Sequence, residues 1–308
     1  MNMSLKSVKG KIKSIDKTRQ VTKAMEAVSA VKMRKSQEGA LVARPYALAA
    51  LTILQSISGS VDGSSHPLGK LRGGKKTCFI VVTSDRGLAG SLNSLIFKAW
   101  TRFMENAGLA KEDVGVIAIG RRGFEYFSRR GYTIIESYER WGDAIDLKTI
   151  DALAERAQKL FFEETYDAVW IIYTNFISTL RQEVYTRKVL PISFEIVAEV
   201  VRGILPETGK FSERESAEKP QKVEVYTFEP DAEEVLAELM PLLLKIQLYH
   251  SVLEANASEH SARMMTMKKA SDNARDLLKG LRLSYNKARQ AAITREVSEI
   301  VGGTETLR

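Results

Sequence analysis

Cysteine is almost missing from this 308-residue chain. Cys78 stands alone, which excludes an intramolecular disulfide framework and points to a reducing compartment. Histidine is nearly as scarce. His66, His250 and His260 are scattered, and the last two are ten residues apart, too far along one helix to share a metal. No uninterrupted run of 18 apolar residues occurs, so no segment is expected to span a membrane. The basic start, Met1 to Lys13, lacks the apolar stretch of a secretory signal. Proline is confined: all seven lie from Pro45 to Pro241.

The proline-free ends, 1–44 and 242–308, read as helix almost throughout. Helices of about 40 and about 65 residues span roughly 60 Å and 100 Å. Such lengths are stable only where another surface covers the apolar stripe. The other end of the same chain is the nearest cover, so the two ends are expected to form one coiled coil. A long rod on a globular body suggests a mechanical part, not an active site.

Charge follows the same division. Residues 1–45 hold eight lysines and three arginines against three acids, a net of +8. Residues 242–308 carry +4, which leaves −4 for the middle of a chain whose total is +8. A basic rod attracts an acidic partner, or presents a solvated helix face.

Near the N-terminus the apolar residues are Leu5, Val8, Ile12 and Ile15, then Val21, Met25, Val28 and Val31, at helical steps. Arg44-Pro45 permits a bend, and a further apolar helical piece follows, Ala47 to Ile57. The C-terminal helix is expected to start between Pro230 and Pro241 and to end at Gly302-Gly303. Its stripe runs through Ile246, Leu253, Ala257, Met264, Met267, Ala274, Leu278, Leu281, Tyr285, Ala288 and Ala292. The steps are those of a heptad seam, interrupted where His260 and Ser271 fall in two slots.

Between the rods, short apolar runs alternate with helical patterns. Strands are expected at Cys78–Thr83, Val114–Ile119, Thr133–Ser137 and Asp167–Thr174, with helices after Asn93, after Gly120 and over Leu147–Glu164. That alternation implies a Rossmann-like α/β domain with a largely parallel sheet. Thr186–Pro191 is a candidate edge strand. Ile204–Glu229 reads as a polar loop with one strand, Val223–Phe228. The fold class is therefore α/β, with coiled-coil segments at 1–58 and 230–303 and a globular domain at 77–228.

Chemical motifs are weak. Gly69 to Lys76 comes near a phosphate-binding loop, but Lys76 stands where a hydroxyl would hold magnesium. It also precedes a strand instead of following one, so a flexible basic loop is expected. Ser84-Asp85-Arg86-Gly87 follows a strand, where sheets of this type bind ligands. The plainer reading is that these residues cap the next helix or pair locally. Cys78 lies inside a strand and reads as a core thiol. Neither metal nor cofactor is implied, and the basic N-terminal helix lacks the aromatics of a nucleic-acid module. A free-standing enzyme on residues 77–230 and a coiled-coil scaffold or nucleic-acid binder are the alternatives.

Three segments together resemble the gamma subunit of F-type ATP synthase, of bacterial type. They are Ile15-Asp-Lys-Thr-Arg-Gln-Val-Thr-Lys-Ala-Met-Glu-Ala-Val to Gln37, the turn Thr83-Ser-Asp-Arg-Gly-Leu-Ala-Gly-Ser-Leu-Asn93, and Gln247 to Met265 with Tyr285 to Gly303. The family's turn usually has Cys-Gly-Gly where this chain has Ala89-Gly90-Ser91. The resemblance implies an asymmetric antiparallel coiled coil standing inside a ring of three alpha and three beta subunits. It implies a globular foot on the membrane ring of c subunits, beside epsilon. The complex would lie peripherally on the cytoplasmic face of the cell inner membrane. Proton flow would turn the shaft and drive the alpha/beta sites through their affinities, with no catalytic residue on this chain. The partner surface it implies comprises Met25, Arg34, Lys35, Arg289, Gln290, Ile293, Val297, Ile300 and Val301. The paired-cysteine insert of chloroplast forms is absent, so no thiol switch is expected.

Overall fold

The structure, a computed structural model, describes residues 5–57, 66–139, 146–193, 228–229 and 231–305. The proposed strand at 223–228 and the start of the 59–76 loop lie largely outside them. The chain divides into two compact units, one of residues 1–29 with 264–308 and one of residues 30–263.

Helix α1 spans Leu5–Ile57 and includes Pro45 without a break. The bend that Arg44-Pro45 permits does not interrupt the helix. Proline removes one backbone hydrogen bond and costs about 3 kcal/mol in a helix interior. Beyond it, Ala50, Leu54 and Ile57 are buried in the core. Burying Leu54 and Ile57 alone contributes about 1.5–3 kcal/mol each, enough to offset the proline. Helix α5 spans Ala232–Glu305 and likewise carries Pro241 among the buried residues Leu239, Met240, Leu243 and Leu244. It also runs through Gly302 and Gly303, which permit an end but do not force one.

The sheet holds β1 (Thr77–Val82), β2 (Val114–Ile119), β3 (Thr133–Tyr138), β4 (Ala168–Phe176) and β5 (Gln182–Leu190). Their order is β3-β2-β1-β4-β5, with β5 antiparallel to β4 at one edge and the other pairs parallel. The crossover helices are α2 (Leu92–Ala107), α3 (Arg121–Arg129) and α4 (Leu147–Phe162). Period-two alternation divides the core into two layers. Cys78, Ile80 and Val82 of β1 face α4, the end of α1 and the start of α5. Phe79 and Val81 face α2 and α3, where Trp100 and Phe127 meet edge to face at 4.6 Å.

One 18-residue window in the Ala232–Ser298 part of α5 is long and apolar enough to cross a membrane, although no uninterrupted apolar run of that length exists. More than half of that window, 56%, is buried inside the protein. Leu236, Leu243, Leu244 and Leu248 in this helix belong to the sheet core. Their apolar surface is covered by protein.

Within the 1–29 and 264–308 unit, both helices bury regular stripes. On α1 the covered positions are Leu5, Val8, Ile12, Ile15, Arg19, Thr22, Glu26 and Ser29, alternating steps of three and four. Val21 and Val28, expected on the stripe, are exposed, as is Val31 beyond it. The stripe keeps its heptad phase and fills it with small hydroxyl residues, which let helices approach closely. The Thr22 hydroxyl donates to the carbonyls of Thr18 and Arg19 at 3.0 Å each, so its burial leaves no unsatisfied donor. On α5, Met267, Ala274 and Leu278 are buried as expected. Ser271 is buried with them, so the seam has no gap at that slot, and His260 is buried in the 30–263 unit.

Candidate functional site

The Thr83–Asn93 turn is built by hydrogen bonds among its own groups. The Ser84 N–H donates to Asn93 Oδ1 at 3.1 Å, and Asn93 Nδ2 donates to Ser84 Oγ at 2.7 Å. Ser84 Oγ donates to the Arg86 carbonyl at 2.8 Å. Asp85 Oδ1 accepts from the Arg121 N–H at 3.0 Å and so caps α3. Thr83 Oγ1 accepts from the Gly123 N–H at 2.8 Å and donates to the Ile119 carbonyl at 2.9 Å. Gly120 has φ 91°, and a Cβ there would lie 2.1 Å from the Thr83 carbonyl oxygen. These residues join β1 to α2 and α3. Their geometry is that of a structural turn, and Ser84 is fully buried.

Arg263 of α5 reaches this turn. Its guanidinium donates to the Arg86 carbonyl at 3.4 Å and pairs with Glu259 at 2.5 Å. Leu88, in the same turn, is exposed at φ 67°, a conformation that a branched side chain seldom adopts.

The described part of the basic loop before β1 is pinned, contrary to the flexible loop expected. Leu68 is buried and its carbonyl accepts from the Ile192 N–H at 2.7 Å. Arg72 lies 4.1 Å from the centroid of the Phe161 ring and donates to its carbonyl. Asp167 Oδ2 accepts from the Lys76 N–H at 3.0 Å. Burial pushes the Cys78 thiol far above its usual range, so it is held as a packed, uncharged group. Among the described residues no group of three or more His, Cys, Asp or Glu could hold a metal ion.

The residues singled out on the rods are mostly at the surface. Met25 is half-buried, beside the half-buried Glu26 that Lys23 pairs at 3.0 Å. Arg34 and Lys35 are exposed and belong to the 30–263 unit, whereas Met25 belongs to the other. Arg289 and Gln290 are exposed near the end of α5. Ile293 is 51% exposed and Val297 54%, and Ile300 is also exposed. Gln290, Ile293, Val297 and Ile300 follow steps of three and four, so they share one helix face. The surroundings of the Val301 side chain lie outside the described residues.

Charge patterning did not single out the polar face of α5 between Gln247 and Ser261. Gln247, His250, Ser251, Glu254, Ser258 and Ser261 are all buried there. Ser258 Oγ donates to the Thr174 carbonyl at 3.0 Å, and Ser261 Oγ to the Thr179 carbonyl at 2.9 Å. A helical spacing of polar residues is the signal that could have found this face, but the same spacing ordinarily marks solvent.

A family model described as ATP synthase matches residues 4–307. The ATP synthase gamma chain of Pelotomaculum thermopropionicum is 39% identical over 304 residues, covering 99% of each chain. That of Cytophaga hutchinsonii is 40% identical over 309 residues, again with 99% of each covered. This chain belongs to the ATP synthase gamma chain family. Among solved structures, a chain of the Euglena gracilis mitochondrial ATP synthase (OSCP/F1/c-ring, rotational state 3) shares the fold at TM-score 0.62 and 15% identity. That match covers 98% of this chain and 94% of the other. A chain of the Tetrahymena thermophila mitochondrial ATP synthase central stalk and c-ring matches at TM-score 0.57 and 23% identity, over 82% of this chain and 99% of that one. The fold of this chain is thus one that chains of solved ATP synthases share.

Proposed function

We propose that this gamma chain is the rotating shaft of a bacterial F-type ATP synthase. It carries torque between a membrane ring of c subunits and the nucleotide sites of three alpha and three beta subunits. The observation that carries the reading is the end of α5. Ile293 and Val297 stand half exposed on one face of a helix whose inward seam, Leu281, Tyr285, Ala288 and Ala292, is already partly covered. Apolar side chains outside a seam are best accounted for by a surrounding sleeve.

A shaft must slip past three copies of one partner. Deep interlocking contacts would stall it, whereas single exposed charge pairs contribute only about 0–1 kcal/mol each and are readily remade. Arg34, Lys35 and Arg289 supply such charges, with Gln290 as a hydrogen-bonding group and Met25 as an adaptable apolar contact. Each shaft angle then favours a different site state through its differential contacts, which is all that coupling requires. Val301 continues the tip in this reading, and the α/β domain is the foot beside epsilon. Nucleotide chemistry falls to other chains, since Ser84, Asp85 and Arg86 are engaged in shaping a turn. The assembly lies peripherally on the cytoplasmic face of the inner membrane.

The test is co-purification of the tagged chain from its native membranes, with ATP hydrolysis assayed on the product. Recovery of alpha and beta with this chain at 3:3:1, dependent on the Arg289–Val301 tip, is the expected result. A chain recovered without these partners would refute the shaft.

A further inference from the structure

Helix α5 is held on the sheet in two chemically different ways. From Leu236 to Leu248 it contributes leucines and Met240 to the apolar core. From Gln247 to Ser261 it contributes a buried polar face instead. The centre of that face is a pair of titratable groups. His250 Nε2 lies 3.4 Å from Glu254 Oε1, one turn further on, and both side chains are almost fully buried. With its amide oriented to satisfy both of its atoms, Asn175 of β4 donates to both oxygens of Glu254, the second at 3.3 Å.

Charged and titratable groups from each packed element bear on this pair. From β5 comes Arg187 and from β4 Tyr173, which Tyr185 of β5 acts on in turn. Helix α1 approaches at Leu253, whose methyl is 3.4 Å from where a Cβ on Gly39 would stand. Burial holds the Glu254 carboxyl up at about 8, against the opposing pull of Arg187 and Tyr173. Burial, reinforced by Arg187, holds His250 down at about 3. The pair therefore carries one proton, and no net charge, across the neutral range. Gln247 Nε2, His250 Nδ1 and Thr174 Oγ1 are buried around it without hydrogen-bond partners among the described residues. Buried polar atoms without partners weaken such a face relative to apolar packing.

We infer that the His250–Glu254 pair is a proton-operated latch between α5 and the β4–β5 hairpin, closed while the pair holds its proton and loosened when that proton leaves in mild alkali. The proton departs to solvent and leaves a carboxylate in a seam too dry to hold it. Arg187 offsets part of that charge, but desolvation outweighs it. The inference rests on the packing of residues 30–263 alone and stands whether or not the chain turns as a shaft.

Hydrogen exchange on the assembled ATPase, corrected for the intrinsic effect of pH, tests it. Between about pH 6.5 and about pH 9, protection in 249–261 should fall at least about tenfold, while 236–246 stays unchanged. Glu254→Gln, which keeps the neutral form, should abolish the fall. A flat wild-type response, or the same fall in Glu254→Gln, overturns the latch. Should Glu254→Gln fail to assemble, His250→Gln serves instead. Its amide donates to the carboxylate, so the midpoint of the transition should move to lower pH, and an unmoved midpoint overturns the proposal.

Discussion

Val21 and Thr22 are adjacent on α1, yet the valine is 59% exposed and the threonine only 9%. The threonine sits in the seam with both hydroxyl contacts made to its own helix. Enlarging it should therefore overpack the seam. Thr22→Leu is expected to cost about 1–3 kcal/mol, whereas Val21→Ser should stay within about 0.5 kcal/mol. Thermal unfolding of the purified complex distinguishes them, and equal effects would contradict this phase of the seam.

Gly120 holds the junction of β2 and α3. Gly120→Ala combines a left-handed φ with a Cβ 2.1 Å from the Thr83 carbonyl oxygen. Backbone cannot yield there as a flexible side chain could. Loss of soluble, folded chain is expected, well beyond the roughly 1–2 kcal/mol of the φ penalty alone. Asp85→Ala, which removes the cap on α3, should cost about 0.5–2 kcal/mol and leave a folded chain, as read by its melting temperature.

The buried pair gives stability two pH edges. His250 is depressed from 6.5 to about 3, so its contribution is present above 6.5 and is lost as pH falls through about 3. Glu254 is raised from 4.5 to about 8, so its contribution is full below 4.5 and is lost as pH rises through about 8. Melting temperature against pH should lose its alkaline edge in Glu254→Gln and part of its acid edge in His250→Gln. Curves parallel to wild type in both would contradict the burial-driven shifts.

The exposed tip should tolerate charge without unfolding. Ile293→Asp with Val297→Asp is expected to change the melting temperature of the chain little, because both side chains lie outside the seam. Coupling of ATP hydrolysis to proton pumping should fall sharply. Unchanged pumping in inverted membrane vesicles would count against an apolar sleeve.

The strands were legible because β1 and β2 are buried on both faces and read as unbroken apolar runs. The phase of the α1 seam was legible at Leu5, Val8, Ile12 and Ile15 but not beyond them. Val21, Met25, Val28 and Val31 satisfy helical spacing as well as the true seam does, and the partner helix decides which phase is covered. Arg44-Pro45 permits a bend by local chemistry, while the burial of Leu54 and Ile57 beyond it is tertiary. His250 and Glu254 were not singled out as a pair, because polar residues at helical spacing carry no mark of burial. Ser84 to Gly87 were legible as turn formers, but the partner of Asp85 was not, since the Arg121 N–H that it accepts from is 36 residues away in the chain.

Cys78 is the one cysteine and is fully buried, so Ser128→Cys on the exposed side of α3 gives a single labelling point. A probe attached there, on complexes of this chain with alpha and beta subunits fixed to a surface, tests rotation directly. ATP should drive the probe in one direction, in three equal steps per turn. Hydrolysis at the normal rate with a stationary probe would contradict the shaft.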